Sequence, residues 1–259
     1  MISLYKIGGN VVDDPVALEQ FCAEFAALPG PKVIVHGGGV KASQMQKALG
    51  QEPVKIEGRR VTDAATLEVV TMVYAGLCNK DIVARLQAAG CNAIGLAGCD
   101  GSVVTARKRA PKTLSDGVTK VDFGFVGDVT AESVNVPFVK QLLDAGLTPV
   151  FCAINHDGAG QLLNTNADTM ASAISVALGA KLFYCFEKNG VLCDRNDEQS
   201  VIPLLDPDAY GRLKAEGRVV EGMIPKLDNA FQALRDGAAG VVIRNAARLL
   251  EPGGTELKI

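Results

Sequence analysis

Short apolar segments alternate with segments of helical periodicity along most of the 259 residues. Residues 2–7, 32–36, 148–154, 181–186 and 240–243 read as buried strands, and helical patterns lie between them. This alternation is typical of an α/β fold with a mostly parallel sheet. Because no repeat, low-complexity tract or polar linker interrupts the chain, we expect one continuous sheet shared by two lobes that meet near Gly179.

Local signals place the helix ends and the shorter elements. Asp14 is suited to cap one helix and Thr62 or Asp63 to cap another, and Pro15 suits a first helical position. Further elements are predicted for a hairpin at 53–61, helices at 40–49, 63–89, 135–145, 167–178, 207–216 and 224–236, and strands at 93–96, 103–106, 123–129, 191–192 and 255–258.

Composition excludes several classes of function. The net charge of −3 offers no basic excess for binding nucleic acid. The seven cysteines form no C-x-x-C pair and read as reduced, buried thiols, which argues against a cysteine-based metal site. No apolar run approaches membrane-spanning length, and the strand-like start predicts no signal peptide. We therefore expect a cytoplasmic protein without membrane partners and without a dedicated metal site.

Two glycine-rich turns follow the first two predicted strands. The first is Gly8-Gly9, two residues after Lys6, and the second is 37–39. Glycine lets backbone N–H groups approach an anion closely, and a helix N-terminus after the second turn adds partial positive charge. Each turn alone could be a tight strand exit without a ligand. Together with the lysine, they favour a binding site for phosphate groups.

Three further polar segments could contribute to such a site. Asn164 and Asp168 lie before or in the first turn of a predicted helix, and Lys226 precedes another. Arg60 lies in the predicted hairpin. Locally, these residues could be a helix cap, a dipole partner and solvated cations. The sequence has neither a G-x-x-x-x-G-K-[ST] phosphate loop nor a G-x-G-x-x-G fingerprint, so ATP binding would need a different scaffold.

In order and spacing, these segments resemble the acetylglutamate kinase family of the amino-acid kinase fold. The resemblance covers essentially the whole chain and depends on these motifs: Lys6-x-Gly8-Gly9, 33–39 (VIVHGGG), Gly58-x-Arg60-Val61-Thr62, Ala75-Gly76-x-x-Asn79-Lys80, 95–101 (GLAGCDG), Asn164-x-Asn166-Ala167-Asp168 and Gly222-Met223-Ile224-x-Lys226. The Arg60 hairpin and the Asn164 segment single out the acetylglutamate branch.

The resemblance implies a three-layer α/β/α sandwich with one continuous, mainly parallel sheet. It implies an acceptor-binding and dimer-forming lobe at 1–178 and a nucleotide-binding lobe at 179–259. The implied reaction transfers the γ-phosphoryl group of ATP to the side-chain carboxylate of N-acetyl-L-glutamate, in arginine or ornithine biosynthesis. Mg²⁺ would be carried by the nucleotide, the partners would be small molecules, and the protein would be a homodimer.

Individual roles are carried over from the same resemblance. The catalytic residues would be Lys6 and Lys226, which stabilise the transferring group, and Asp168, which holds both ammonium groups. The phosphoryl oxygens would bind backbone at Gly8, Gly9 and Gly38; the acceptor would bind Gly38, Gly39, Arg60 and Asn164; and the nucleotide would bind Glu187, Lys188, Gly190, Gly222 and Met223.

The chain departs from the family pattern after residue 185. The family carries a Ser/Thr-Asp-Val stretch there, whereas this chain has Phe186-Glu187-Lys188. Lys188 could contact phosphates or pair with a surface carboxylate. Three alternatives stay open: a bulkier N-acyl-glutamate as acceptor, another amino-acid kinase substrate, and a catalytically silent nucleotide-binding regulator.

Overall fold

A central sheet of eight strands organises the protein in the computed structural model, which describes residues 1–194, 196–219 and 223–259. The strands are β1 (Ser3–Ile7), β2 (Lys32–His36), β3 (Lys55–Ile56), β4 (Arg59–Arg60), β5 (Ala93–Leu96), β6 (Arg107–Lys108), β7 (Lys112–Thr113), β8 (Lys120–Val121), β9 (Gly127–Asp128), β10 (Thr148–Cys152), β11 (Ile154–His156), β12 (Leu162–Asn164), β13 (Lys181–Phe186), β14 (Leu204–Leu205), β15 (Gly240–Asn245) and β16 (Thr255–Leu257). The α-helices are α1 (Gly9–Asp13), α2 (Pro15–Ala27), α3 (Gly39–Ala48), α4 (Ala64–Thr71), α5 (Asn79–Ala88), α6 (Val136–Asp144), α7 (Ala167–Leu178), α8 (Pro207–Ala215) and α9 (Ile224–Arg235). A π-helical stretch, Met72–Cys78, joins α4 to α5, and two short 3₁₀ turns lie at Asp100–Ser102 and Ala131–Ser133.

The strand order of the central sheet is β14-β16-β15-β13-β1-β2-β10-β5. Neighbours run parallel except β15 and β16. The predicted continuous, mainly parallel sheet is therefore confirmed. Strand β1 lies between β2 and β13. The connections that lead to β2 and to β13 therefore cross the sheet to opposite sides of β1. Ligands of open α/β sheets bind at the carboxyl ends of the strands beside such a reversal.

Alternate side chains of β1 enter two separate cores. Leu4 packs with residues of α7 and α9 on one face of the sheet. Tyr5 and Ile7 pack with residues of α2, α4 and α5 on the other face. This arrangement, which the two-residue period of a strand allows, confirms the three-layer sandwich. No helix within the described residues is long and apolar enough to cross a bilayer.

The predicted helix starts are confirmed by their caps. The Asp14 carboxylate accepts a hydrogen bond from the Val16 amide at 2.8 Å, and Asp63 accepts one from the Thr66 amide at 2.8 Å. Each bond satisfies an amide that has no partner within its helix. These caps hold α2 and α4 at the ends of the loops that form the site.

Several strands predicted from apolar runs are wrong. Residues 103–106 and 123–129 are largely buried but bond to scattered partners, leaving isolated bridges and the short strand β9. Residues 191–192 contribute only a bridge from Leu192 to Val201. The run at 148–154 is divided between β10 and β11, and the hairpin of β11 with β12 was not predicted. These runs are apolar because their side chains are buried in the core. A regular ladder of backbone hydrogen bonds also needs one continuous partner strand, which these runs lack.

Candidate active site

A buried ion pair lies at the centre of the carboxyl edge of the sheet. Lys6 is on β1 and is 5% exposed, and its Nζ atom lies 2.6 Å from Oδ1 of Asp168. Asp168 is in the first turn of α7, whose cap is the Asn166 side chain, bonded to the Thr169 amide. The carboxylate therefore fixes the position of the Lys6 ammonium group.

A second ammonium group reaches the same place from the start of α9. Lys226 is in the first turn of α9, and its Nζ atom lies 3.9 Å from the ring centroid of Phe186. The Nζ atom of Lys6 lies 5.7 Å from the same centroid. Burial, aided by the positive charge of Lys6, lowers the pKa of Lys226, while Asp168 opposes this shift. The three residues predicted to be catalytic thus share one cleft.

Both glycine turns lie against neighbours that leave little room for a side chain. A Cβ at Gly38 would be 3.0 Å from Cδ1 of Tyr74 and 3.1 Å from Sγ of Cys78. A Cβ at Gly9 would be 3.1 Å from a carboxylate oxygen of Asp13. The first-turn amides of a helix have no intrahelical acceptors, and α3 begins at Gly39. The first amides of α3 therefore remain donors to which an anion can bind.

His36 orders the second glycine turn from beneath. Its ring is fully buried, with Nδ1 donating to the Gly37 carbonyl at 2.7 Å and Nε2 accepting from the Asn79 side-chain amide at 3.1 Å. Burial lowers the pKa of His36 to about 4, so the ring is neutral at neutral pH. Its hydrogen bonds thus hold the loop, and it does not face the cleft as a base.

The cavity on the predicted acceptor side of Lys6 has a volume of about 230 Å³. Arg60 lines it, and the Nη2 atom of Arg60 donates to the Gly39 carbonyl at 2.8 Å and to Oγ of Ser43 at 2.7 Å. Its Nη1 atom bonds the side-chain oxygen of Gln46. These contacts hold the guanidinium plane at the cavity wall, with donor capacity left over for a carboxylate.

Asn164 lines the same cavity at the end of β12. Its side-chain nitrogen donates to Oγ1 of Thr62 at 3.0 Å, and its backbone amide donates to the Phe125 carbonyl at 2.9 Å. The amide group is thus oriented by Thr62, two residues beyond Arg60. The segments that carry the predicted acceptor ligands are joined here by hydrogen bonds.

Sequence reasoning missed several residues of this cavity, among them three further cations, Lys55, Arg59 and Arg109. The Nε atom of Arg109 donates to Oδ1 of Asp128 at 2.9 Å, and its guanidinium lies 5.8 Å from the Phe123 ring centroid. The basic run 107–109 was the available signal, but charge runs are usually solvated. Only the fold shows that Arg109 turns inward.

The cavity on the predicted nucleotide side is smaller, about 70 Å³, and it is lined by Gly8 and Gly9 together with Phe186, Glu187 and Lys226. The Glu187 carboxylate bonds the side-chain amide of Asn10. This contact fastens the end of β13 to the first glycine turn. Glu187 therefore lies beside the glycine backbone predicted to bind phosphate.

The other residues predicted to bind nucleotide have different surroundings. Lys188 is exposed and pairs with Glu198. A Cβ at Gly190 would be 2.7 Å from Oγ1 of Thr255, so this glycine permits close packing. Met223 precedes α9, and its carbonyl accepts a bond from the Leu227 amide at 2.9 Å. Gly222 lies outside the described residues.

Residues 1–245 match the amino acid kinase family. The chain belongs to the amino acid kinase family. Within it, the chain is 48% identical over 252 residues to an acetylglutamate kinase of Cytophaga hutchinsonii, covering 96% of this chain and 92% of that protein. It is 47% identical over 261 residues to an acetylglutamate kinase of Phocaeicola vulgatus, covering 99% and 98%. The suspected membership of the acetylglutamate kinase branch is thereby confirmed.

A solved structure of another protein has the same fold as this chain. N-acetylglutamate synthase of Neisseria gonorrhoeae, in complex with coenzyme A and N-acetyl-glutamate, superposes with a TM-score of 0.80 at 22% identity. The match covers all of this chain, which spans 59% of the synthase chain. At this identity the likeness concerns the fold alone.

Proposed function

We propose that this protein transfers the γ-phosphoryl group of ATP to the side-chain carboxylate of N-acetyl-L-glutamate and so forms an acyl phosphate. The observation that carries the proposal is the Lys6–Asp168 ion pair between two cavities, with Lys226 over the same aromatic ring as Lys6. Two ammonium groups in one cleft can bind the acceptor carboxylate and the phosphate groups of ATP close together. The full-length similarity to acetylglutamate kinases supports this choice of acceptor.

The acceptor enters the larger cavity. Its α-carboxylate pairs with Arg60 through the guanidinium charge and the donors that Gly39, Ser43 and Gln46 leave unused. The Asn164 side chain and the backbone at Gly38 and Gly39 hold the rest of the molecule. The reacting carboxylate then points past Lys6 towards the nucleotide-side cavity. By fixing this orientation before the reaction, the acceptor lobe lowers the entropic part of the activation barrier.

The transferring phosphoryl group lies between the two ammonium groups. Lys6 and Lys226 neutralise charge on its oxygens, and the amides of the two glycine turns donate to it. Gly8, Gly9 and Gly38 are the backbone positions for these bonds. Asp168 holds Lys6 in place and removes no proton. The bond from the carboxylate oxygen to phosphorus forms while the bond from phosphorus to the leaving ADP oxygen breaks.

No general base is required for this reaction. A glutamate-like carboxyl group in water has a pKa of about 4.3 and is already ionised at neutral pH. The site therefore supplies alignment and charge stabilisation. His36, neutral and enclosed beneath the glycine turn, fits this division of roles.

The nucleotide binds the lobe of residues 179–259, and the acceptor binds the lobe of residues 1–178. Mg²⁺ enters with ATP, held by phosphate oxygens and water, which is its usual arrangement in kinases. The described residues contain no group of three or more His, Cys, Asp or Glu side chains suited to a metal ion. Glu187 lines the smaller cavity, and Met223 directly precedes α9. Lys188 and Gly190 follow Glu187 in the same loop.

In this proposal the protein works as a homodimer in the cytoplasm. Exposed apolar side chains on α3 and the neighbouring π-helical stretch support an interface on the acceptor lobe: Met45, Leu49, Met72 and Leu77. Isolated apolar side chains need no partner, but a cluster on adjacent helices is typical of an interface. Light scattering of the purified protein measures this state.

A second acceptor is favoured by the charge of the cavity. Arg109, Arg59 and Lys55 add positive charge beyond Arg60 and Lys6. An N-acyl-glutamate whose acyl group ends in a carboxylate would use this charge, whereas an acetyl group would not. N-succinyl-glutamate is therefore the comparison substrate for N-acetylglutamate.

A hydroxylamine trap for acyl phosphate tests the proposal. The protein is incubated with MgATP, hydroxylamine and N-acetylglutamate, N-succinyl-glutamate or plain glutamate, and the hydroxamate is measured. Hydroxamate with an N-acyl-glutamate and little with glutamate supports the function. ATP binding without hydroxamate from any acceptor would support a silent regulator and defeat the proposal.

A further inference from the structure

The ring of Phe186 occupies a fixed position at the end of β13. It is 5% exposed, and it stacks on the Tyr184 ring with a centroid distance of 6.2 Å and an interplanar angle of 3°. Side chains two residues apart share a face of a strand, which explains the stack. The Tyr184 hydroxyl bonds Oγ of Ser172 on α7 at 3.0 Å. The stack is therefore anchored to the helix that carries Asp168.

The ring is the shared neighbour of both ammonium groups. Lys226 lies over its face at 3.9 Å from the centroid, and Lys6 lies over it at 5.7 Å. The face of an aromatic ring is electronegative and attracts a cation within about 6 Å, most strongly when water is excluded. A Cβ built on Gly8 would lie 3.7 Å from Nζ of Lys6 and 4.0 Å from the ring. The first glycine turn therefore faces the same space.

Lys226 needs such a partner more than Lys6 does. The Asp168 carboxylate contacts Lys6, while no ion pair among the described residues involves Lys226. The loss of water and the positive charge of Lys6 both disfavour the charged form of Lys226. The ring face is a direct contact that favours that form. The ring stands where the family pattern carries a hydroxyl-bearing residue.

We propose that Phe186 is a positioning residue for phosphoryl transfer, whose ring face holds the Lys226 ammonium beside Lys6 while the phosphoryl group is transferred. This role rests on the function proposed above. The ring contacts no reacting atom; it acts through Lys226. It lets two like charges share one cleft and limits the conformations that Lys226 must lose on reaching the transition state.

Stepwise fluorination of the Phe186 ring tests the electrostatic part of this role. Site-specific incorporation of mono-, di- and trifluorophenylalanine withdraws electron density from the ring face with little change in size. We expect log kcat to fall steadily with fluorine number, by about 10-fold in total. Phe231 is the matched control, because it is a buried α9 aromatic that stacks on Tyr210. Fluorinating Phe231 should leave kcat unchanged.

Two substitutions separate shape from charge. F186L keeps an apolar side chain and should lose about 10-fold in kcat, whereas F186W restores a ring face and should recover most of it. In the wild-type protein, the ring current of Phe186 should make the Lys226 side-chain protons resonate upfield of those of lysines that lie over no aromatic ring. That displacement should vanish in F186L.

The outcomes distinguish this role from the function it depends on. Absence of acyl phosphate from the wild-type protein with every acceptor would defeat the proposed function. An active wild type with a flat fluorine series, or with F186L as fast as F186W, would overturn the role of Phe186 alone. Lys226 protons without an upfield displacement would overturn it as well.

Discussion

Replacing Lys6 with methionine removes the charge at the centre of the site and little else. Methionine has a similar length and fills the same space without an ammonium group. Lys6 is 5% exposed, and its ammonium lies 2.6 Å from Asp168, whose side chain is 16% exposed. The substitution therefore leaves a largely buried carboxylate without its cation. A broken buried pair costs about 3 kcal/mol in the free energy of unfolding.

The same substitution should reduce catalysis separately from stability. One preorganised charge on the transferring group contributes about 3 kcal/mol to the transition state, which is about a 100-fold loss in kcat. The acceptor KM should change little, because the proposed acceptor ligands are Arg60 and Asn164. The hydroxamate assay gives kcat and KM, and urea unfolding gives the stability.

The double variant K6M/D168N separates the two effects. It removes the unpaired carboxylate, so the free energy of unfolding should return to near the wild-type value. Turnover should stay low, because the phosphoryl group still lacks its cation. If K6M alone keeps more than half of the wild-type kcat, or if K6M/D168N regains it, the assignment of Lys6 to charge stabilisation is refuted.

Three further predictions follow from charge and burial. R60K keeps the charge but loses the planar guanidinium and its contacts with Gly39, Ser43 and Gln46, so the acceptor KM should rise about 10-fold while the ATP KM stays constant in steady-state kinetics. The pKa of Lys226 lies below the ordinary value of 10.5, so kcat/KM should fall as pH rises through it, at lower pH than for an ordinary lysine. K226R should move that alkaline limb to higher pH, and an unmoved limb would contradict the assignment. The pKa of His36 is about 4 in the folded protein against 6.5 as its ordinary value. The unfolded chain binds more protons between these values, so the free energy of unfolding should fall as pH drops from 6.5 to about 4, by up to about 3 kcal/mol. Urea unfolding of H36Q across this range should lack that slope.

The fold was predictable because its signals are local. Strand and helix periods, the caps at Asp14 and Asp63, and glycine turns after two strands each need only a few neighbouring residues. The central sheet and its layers follow from these elements. The wrong strands at 103–106 and 123–129 failed for the opposite reason, since their pairing depends on which distant backbone lies opposite.

The site was predictable in part. Lys6, Asp168 and Lys226 stand in recognisable motifs, although no local rule places their charges in one cleft. Arg109 was missed because its inward direction depends on Asp128 and the Phe123 ring. The contact of Phe186 with two ammonium groups could not be predicted from the sequence either. Its substitution for a hydroxyl residue was visible, but the ring's role depends on strand register and on the start of α9.

The central claim is that the acceptor carboxylate itself attacks phosphorus in the cleft between the two lobes. An acceptor labelled with ¹⁸O in its side-chain carboxylate, incubated with MgATP and trapped with hydroxylamine, tests this most directly. Hydroxylamine attacks the acyl carbon, so the released phosphate retains the bridging oxygen. The account predicts one ¹⁸O atom per phosphate, seen by ³¹P NMR. Released phosphate without the label would contradict it.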